Sequence, residues 1–248
     1  VSALPSWLDP AAEVTQLPAP PAFPDRAAER ARAAAFIAEV VAACRAAGAP
    51  LWQAFEVAAI ACLEATWGRA RTCFDPLFNL GGSKAKKEIA LRYKAEHGRP
   101  QRWFRAPGHV ASGDAPVVVY LCWDSIPEYC SFWLARHVGR DAHTPPWESR
   151  YLQAAALFWG RFPDWIDALL VAGYRGERTA ADPAASIAGH HTIVGEVRAY
   201  WAQGRLGVHC DGDWGPRSRA ALAVIQHAHG LPETGDLDDA SLALLETR

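Results

Sequence analysis

Residues 211–216 of this 248-residue chain, Asp211-Gly212-Asp213-Trp214-Gly215-Pro216, restrict its C-terminal end more tightly than any other stretch. Gly212 and Gly215 permit a tight turn, and Pro216 suits a first helical position, where no backbone N–H is needed. Upstream, Val194, Val197, Tyr200 and Trp201 recur at helical spacing. Downstream, Ser218 to His229 reads as a second helix closed by Gly230-Leu231-Pro232. Thr234-Gly235 then sets another turn before a final short helix around Ala240-Ser241-Leu242. Residues 192–248 are therefore expected to form three short helices joined by two glycine turns.

The length suits a larger domain in front of this small one. Half of the chain is apolar and 21% is charged, enough for a substantial core. The formal net charge is −2. From His191 onward there are 5 Arg and no Lys against 8 acidic residues, leaving 20 basic and 19 acidic residues before it. Neither part is a polycation, which argues against nucleic acid as the main partner. No apolar run of about 18 residues is present, so no membrane span is expected. Val1 to Pro24 has neither a basic n-region nor an apolar h-region, so no export signal is visible in it.

The six cysteines show no paired spacing of the zinc-binding kind and are expected to be mostly free, buried thiols, with one or two disulfides as the alternative. His143, His190 and His191 have no partner at ligand spacing, so neither a metal nor a cofactor is assigned.

Residues 1–25 carry Pro5, Pro10, Pro18, Pro20, Pro21 and Pro24 and read as an extended arm, packed on the domain through Trp7 and Leu8. Asp25 sits at an N-cap position, and the helix it starts stops at Gly48 and Pro50. A second helix runs from about Leu51 to Trp67. Cys73 to Gly82 is loop, and Ala85 to His97 is a charged helix. Arg102–Ala106 and Pro116–Trp123 are two β-like runs forming a hairpin. Helices follow over Ser125–Val138 and Trp147–Ala172, the second interrupted by Pro163. Residues 173–191 read as a linker. The fold class is thus α+β, mostly α: a domain over 26–172 with a small β-hairpin lobe, then the small three-helix domain over 192–248.

Glu64 stands out near the end of the apolar second helix, in Ala61-Cys62-Leu63-Glu64-Ala65-Thr66-Trp67-Gly68. A carboxyl group there is expected to be partly desolvated, which favours its protonated form and suits a general acid. Leu63 to Arg69 and Phe78-Asn79-Leu80-Gly81-Gly82-Ser83-Lys84 resemble the L-E-[ST]-x-W-G … N-L-F-G-I-K signature of family-73 glycoside hydrolases, the peptidoglycan-cleaving β-N-acetylglucosaminidases. Tyr120-Leu121-Cys122-Trp123-Asp124-Ser125 is similar to their F-R-x-Y-x-S segment. The resemblance spans residues 30–172 and departs from the pattern at Gly81, Leu121 and Trp123. It implies a lysozyme-like domain with Glu64 as catalytic acid and Trp67, Asn79, Tyr120, Trp123 and Tyr129 lining the substrate cleft.

A second carboxylate has more than one candidate. Glu56 shares the helix with Glu64 but stands about 12 Å away along the axis. Asp114, on the hairpin turn, and Glu88, just before the sheet, are the candidates. The alternative is assistance by the substrate's own acetamido group. The eight cations between Lys84 and Arg105 read as a solvated helix face, or as a cleft edge that attracts carboxylates.

Residues 211–242 resemble the three-helix peptidoglycan-binding module, whose pattern includes D-G-x-[FY]-G, F-Q-x-x-x-G-L and T-G-x-[LV]. The resemblance implies a wall-binding groove beside Asp211, Asp213 and Trp214. The implied function is an endo-acting glycosidase that cleaves the glycan strand in the periplasm or cell wall. Muramidase, lytic transglycosylase and a non-catalytic peptidoglycan-binding protein are the alternatives. The roles open to such a protein are phage lysin, antibacterial effector and remodelling enzyme, with an immunity or export protein as a further partner.

Overall fold

The structure is a computed structural model that describes residues 5–15, 22–64, 86–105, 119–140, 143–159, 165–172, 174 and 183–248. Among them are nine α-helices and one two-stranded antiparallel sheet, so the chain is mostly α with a small β element. Helix α1 spans Arg26–Ala46, and its Asp25 cap accepts a hydrogen bond from Ala28 N at 2.8 Å. Gly48, at φ 91°, turns the chain into α2, Leu51–Glu64. Every residue from Gln53 to Cys62 is buried, so α2 is the central helix of the fold.

Helix α3 covers Lys87–His97 and ends on Gly98 in the left-handed region. Strands β1 (Trp103–Arg105) and β2 (Val119–Leu121) pair in the register Phe104 opposite Tyr120. Helix α4, Ile126–His137, is closed at its start by Ser125 and Glu128. Ser125 Oγ accepts from Glu128 N at 3.2 Å, while Glu128 Oε2 accepts from Asp124 N at 2.6 Å. Helices α5 (Leu152–Trp159) and α6 (Trp165–Val171) fall on either side of the break expected at Pro163.

The N-terminal segment is pinned along β1. Leu8 is buried, Val14 N donates to Trp103 O at 2.7 Å, and Trp103 Nε1 donates to Asp9 O at 2.8 Å.

The linker expected over 173–191 is helical from Pro183 onward. Helix α7 runs Pro183–Leu206, because Pro183 takes a first-turn position and the alanines that suggested a linker are also the best helix formers. This helix packs along α2 and α1 and touches α6, and the last two helices, α8 (Pro216–Ala228) and α9 (Asp239–Glu246), pack on it. One hydrophobic cluster accordingly runs from Phe36 and Ile60 through Val197 and Trp201 to Leu222 and Leu245. An ion pair between Arg45 and Glu246 ties the ends of α1 and α9. Cys44, Cys122 and Cys130 are buried free thiols, Cys62 is buried, Cys210 is a half-buried free thiol, and Cys73 lies outside the described residues.

Candidate functional site

Glu64 is the last residue of α2, and it is exposed. The desolvated setting expected for it is absent, because the apolar face of α2 ends at Cys62 and both Leu63 and Glu64 turn outward. Its charge nevertheless reaches two tyrosine hydroxyls carried by other elements. Burial, and then the Glu64 charge, raise the Tyr120 hydroxyl of β2 above its ordinary value. Tyr174, just beyond α6, is raised mainly by burial and further by Glu64, while a hydrogen bond from Trp133 opposes the shift. That bond runs from Trp133 Nε1 to Tyr174 Oη at 2.7 Å. The charge of Glu64 is therefore felt at one edge of the sheet and at the residue just beyond α6.

The other expected cleft residues separate. Tyr120 is half-buried and its ring stacks on Phe104 across the strands, with centroids 5.5 Å apart. Trp123 is fully buried, edge-on to Tyr129 at 4.9 Å and against Phe132 at 4.6 Å. Tyr129 is buried as well. Both are core residues with no ring face open to a sugar, because the chain entering α4 turns them inward between α3 and α4. Glu88 is exposed in the first turn of α3. Trp67, Asn79 and Asp114 lie outside the described residues.

Most cations of the basic stretch are neutralised locally. Arg92 pairs with Glu96, Arg99 and Arg102 with Asp124, Arg105 with Glu13, and Lys86 with Glu148. The solvated-face reading fits this pattern better than an attracting cleft edge. A cavity of about 660 Å³ lies between α3 and α4, lined by Arg92, Tyr93, His97, Glu128, Phe132 and Trp147. Its aromatic faces are occupied, with His97 stacked on Tyr93 at 4.2 Å and the Arg92 guanidinium over Trp147 at 4.8 Å. Glu64 does not line it.

The C-terminal loops are built by two buried glutamines. Gln203 Oε1 accepts from Asp211 N and Gly212 N at 3.0 Å each, while its Nε2 donates to Asp211 Oδ1 at 2.8 Å and Ser218 Oγ at 3.1 Å. Gln226, 23 residues later, repeats this arrangement. Its Oε1 accepts from Gly235 N at 2.8 Å, and its Nε2 donates to Thr234 Oγ1 at 3.2 Å and Ser241 Oγ at 2.8 Å. The backbone repeats too, since Gly207 and Gly230, and Gly212 and Gly235, share positive φ. A side chain on Gly212 would overlap the Tyr200 ring, and one on Gly235 would come within 2.7 Å of the Arg219 carbonyl oxygen.

Two of the three residues expected to contact the wall also brace the loops. Asp211 is held by Gln203, which also keeps its carboxyl below the usual value. Trp214 Nε1 donates to Gly235 O at 2.9 Å, joining the two loops. Asp213 is the exposed one of the three. It borders a groove of about 590 Å³ between the loop, α7 and the start of α1. Sequence inspection missed the glutamine pair. The constant spacing of Gln203, Gly207, Gly212 and Ser218 from Gln226, Gly230, Gly235 and Ser241 was the signal available.

No family model matches the chain, and no curated protein or solved structure matches it. Among the described residues no helix is long and apolar enough to cross a membrane, and no three His, Cys, Asp or Glu side chains gather as a metal site would require.

Proposed function

We propose that this protein binds peptidoglycan through its C-terminal loops and hydrolyses the glycan strand in the periplasm or cell wall, as an endo-β-N-acetylglucosaminidase of lysozyme-like fold. Glu64 protonates the leaving oxygen, and water, or first the substrate's acetamido group, attacks the anomeric carbon. The observation that carries the reading is the position of Glu64, solvent-facing at the end of the most buried helix, with its charge reaching Tyr120 of the small sheet. In the lysozyme-like fold proposed, the acid would stand where the helical part faces the β part and a polymer can lie across both. The paired glutamine-centred loops add support from a separate part of the chain.

One observation favours a second reading. The exposure of Glu64 leaves it without the burial that adapts a carboxyl group to acid catalysis, as in a wall-binding protein with no hydrolytic step. Mass spectrometry of muropeptides after digestion of purified sacculi separates the readings. Reducing N-acetylglucosamine ends support the first. Reducing muramic or 1,6-anhydro ends would instead identify a muramidase or a lytic transglycosylase, and binding without release supports the second. Glu64→Gln is expected to abolish release while retaining binding, and normal release by that variant refutes Glu64 as the acid.

A further inference from the structure

The groove beside the Asp213 loop has walls from distant parts of the chain. Arg26, Glu29 and Arg30 come from the first turns of α1, Glu196 and Tyr200 from α7, and residues 211–213 from the loop. Arg26 and Arg30 are one helical turn apart, as are Glu196 and Tyr200, so each helix presents two neighbouring side chains to the opening. The Asp25 cap fixes where α1 starts, and hence where the two guanidinium groups emerge. Among the described residues, the side chains of Arg26, Arg30, Glu196 and Asp213 make no hydrogen bond or ion pair. Arg26 and Arg30, with Glu29 between them on α1, thus line the groove together with Glu196 and Asp213 without closing an ion pair to them. Burial raises the Tyr200 hydroxyl and the Arg30 charge works against that rise, while the bond from Gln203 chiefly holds Asp211 low and Arg30 adds to it, so the charge on α1 is felt at the opposite walls.

We infer that this groove is a composite site for a short peptide carrying both free carboxylates and a free amine, with Arg26 and Arg30 taking the carboxylates and Glu196 and Asp213 the amine. The inference rests on the wall-binding reading and deepens it by naming the stem peptide, not the glycan, as the ligand. In peptidoglycan the sugars are N-acetylated and the lactyl group is amidated by the stem, so the fixed charges of both signs lie on the peptide. The floor is also unsuited to sugar stacking, because the Tyr200 ring is packed against Gly212. The volume lies in the range of about 300–1,000 Å³ common to small-ligand sites. Wall recognition then requires α1 as well as the three C-terminal helices.

The test is co-sedimentation of the full chain with insoluble sacculi, intact or stripped of stem peptides by an amidase. It is run for the wild type, for Arg26→Ala/Arg30→Ala and for Glu196→Gln/Asp213→Asn. The wild type is expected to bind intact sacculi and to lose about ten-fold or more in affinity on stripped ones. Each double variant is expected to lose a similar factor on intact sacculi, as for charge-assisted hydrogen bonds. Unchanged unfolding midpoints show that the variants still fold. Equal wild-type binding to stripped and intact sacculi overturns the peptide site while leaving wall binding in place. Undiminished binding by the arginine variant overturns the contribution of α1. Wild-type binding to neither form overturns the wall-binding reading itself.

Discussion

His190 on α7 and Glu56 on α2 are joined by a 2.6 Å contact between Nε2 and Oε2, with the imidazole fully buried and the carboxylate nearly so. The pair sits within the packing of α7 on α2, the junction through which the C-terminal helices share the core of the N-terminal ones. It also gives Glu56 a structural role, which its distance from Glu64 had left without assignment.

Removing one member of a buried pair strands the other. His190→Ala is expected to cost about 3–5 kcal/mol in urea unfolding, because the Glu56 carboxylate then has no partner in an apolar setting. Glu56→Gln keeps a hydrogen-bonding group opposite the imidazole and is expected to cost less. Equal losses for the two variants would show that the contact contributes only packing.

The two glutamines predict matched defects. Gln203→Ala strands the half-buried Asp211 N and Gly212 N, and Gln226→Ala strands the buried Gly235 N, a buried amide costing about 1–3 kcal/mol when left unsatisfied and a half-buried one less. Hydrogen exchange should rise in residues 208–218 for the first variant and in 231–241 for the second. Exchange that rises equally in both loops for either variant would mean that they unfold as one unit through the Trp214–Gly235 bond.

What could be read from the sequence was local. Asp25 and Gly48 bracket α1 because capping and left-handed turns depend on neighbouring residues alone. The strand pair followed from β-branched and aromatic residues on both sides of a loop, and the C-terminal turns from their glycines. The choice of face was not legible for Trp123 and Tyr129, since an aromatic residue beside a motif packs inward or outward according to distant helices. Nor was the bond between Glu56 and His190, made across 134 residues of chain. At Glu64 the position in the helix was legible, but its solvent exposure depends on what surrounds the helix end.

His137 provides a pH-dependent prediction. It is buried among the rings of Trp133, Tyr151 and Tyr174, and its Nδ1 lies 2.8 Å from Trp133 O, so the neutral ring donates to that carbonyl. Burial, reinforced by the charge of Arg136, holds the imidazole well below its ordinary value of 6.5. The folded state stays unprotonated where the unfolded state takes up a proton, so the stability is complete above 6.5 and falls as pH drops below it. The slope from this one group is at most about 1.4 kcal/mol per pH unit. Urea midpoints at pH 7.5 and 5.5 should diverge less in His137→Asn, whose amide can donate to the same carbonyl. An unchanged divergence would show that the acid sensitivity comes from other groups.

The junction at Glu64 can be tested without substrate. Because the Glu64 charge raises the Tyr120 hydroxyl second only to burial, Glu64→Gln should lower the Tyr120 titration midpoint while leaving it above the ordinary 10. Tyr174 should move in the same direction but stay high, since burial dominates there. The shifts can be followed by carbon NMR of tyrosines labelled at Cζ, with Tyr120→Phe and Tyr174→Phe assigning the signals. Added salt should shrink the Tyr120 shift more, because Tyr174 is the more enclosed of the two. If neither midpoint moves in Glu64→Gln, the Glu64 charge does not reach β2. The case for Glu64 as a glycosidase acid then loses its structural basis, whatever the C-terminal loops bind.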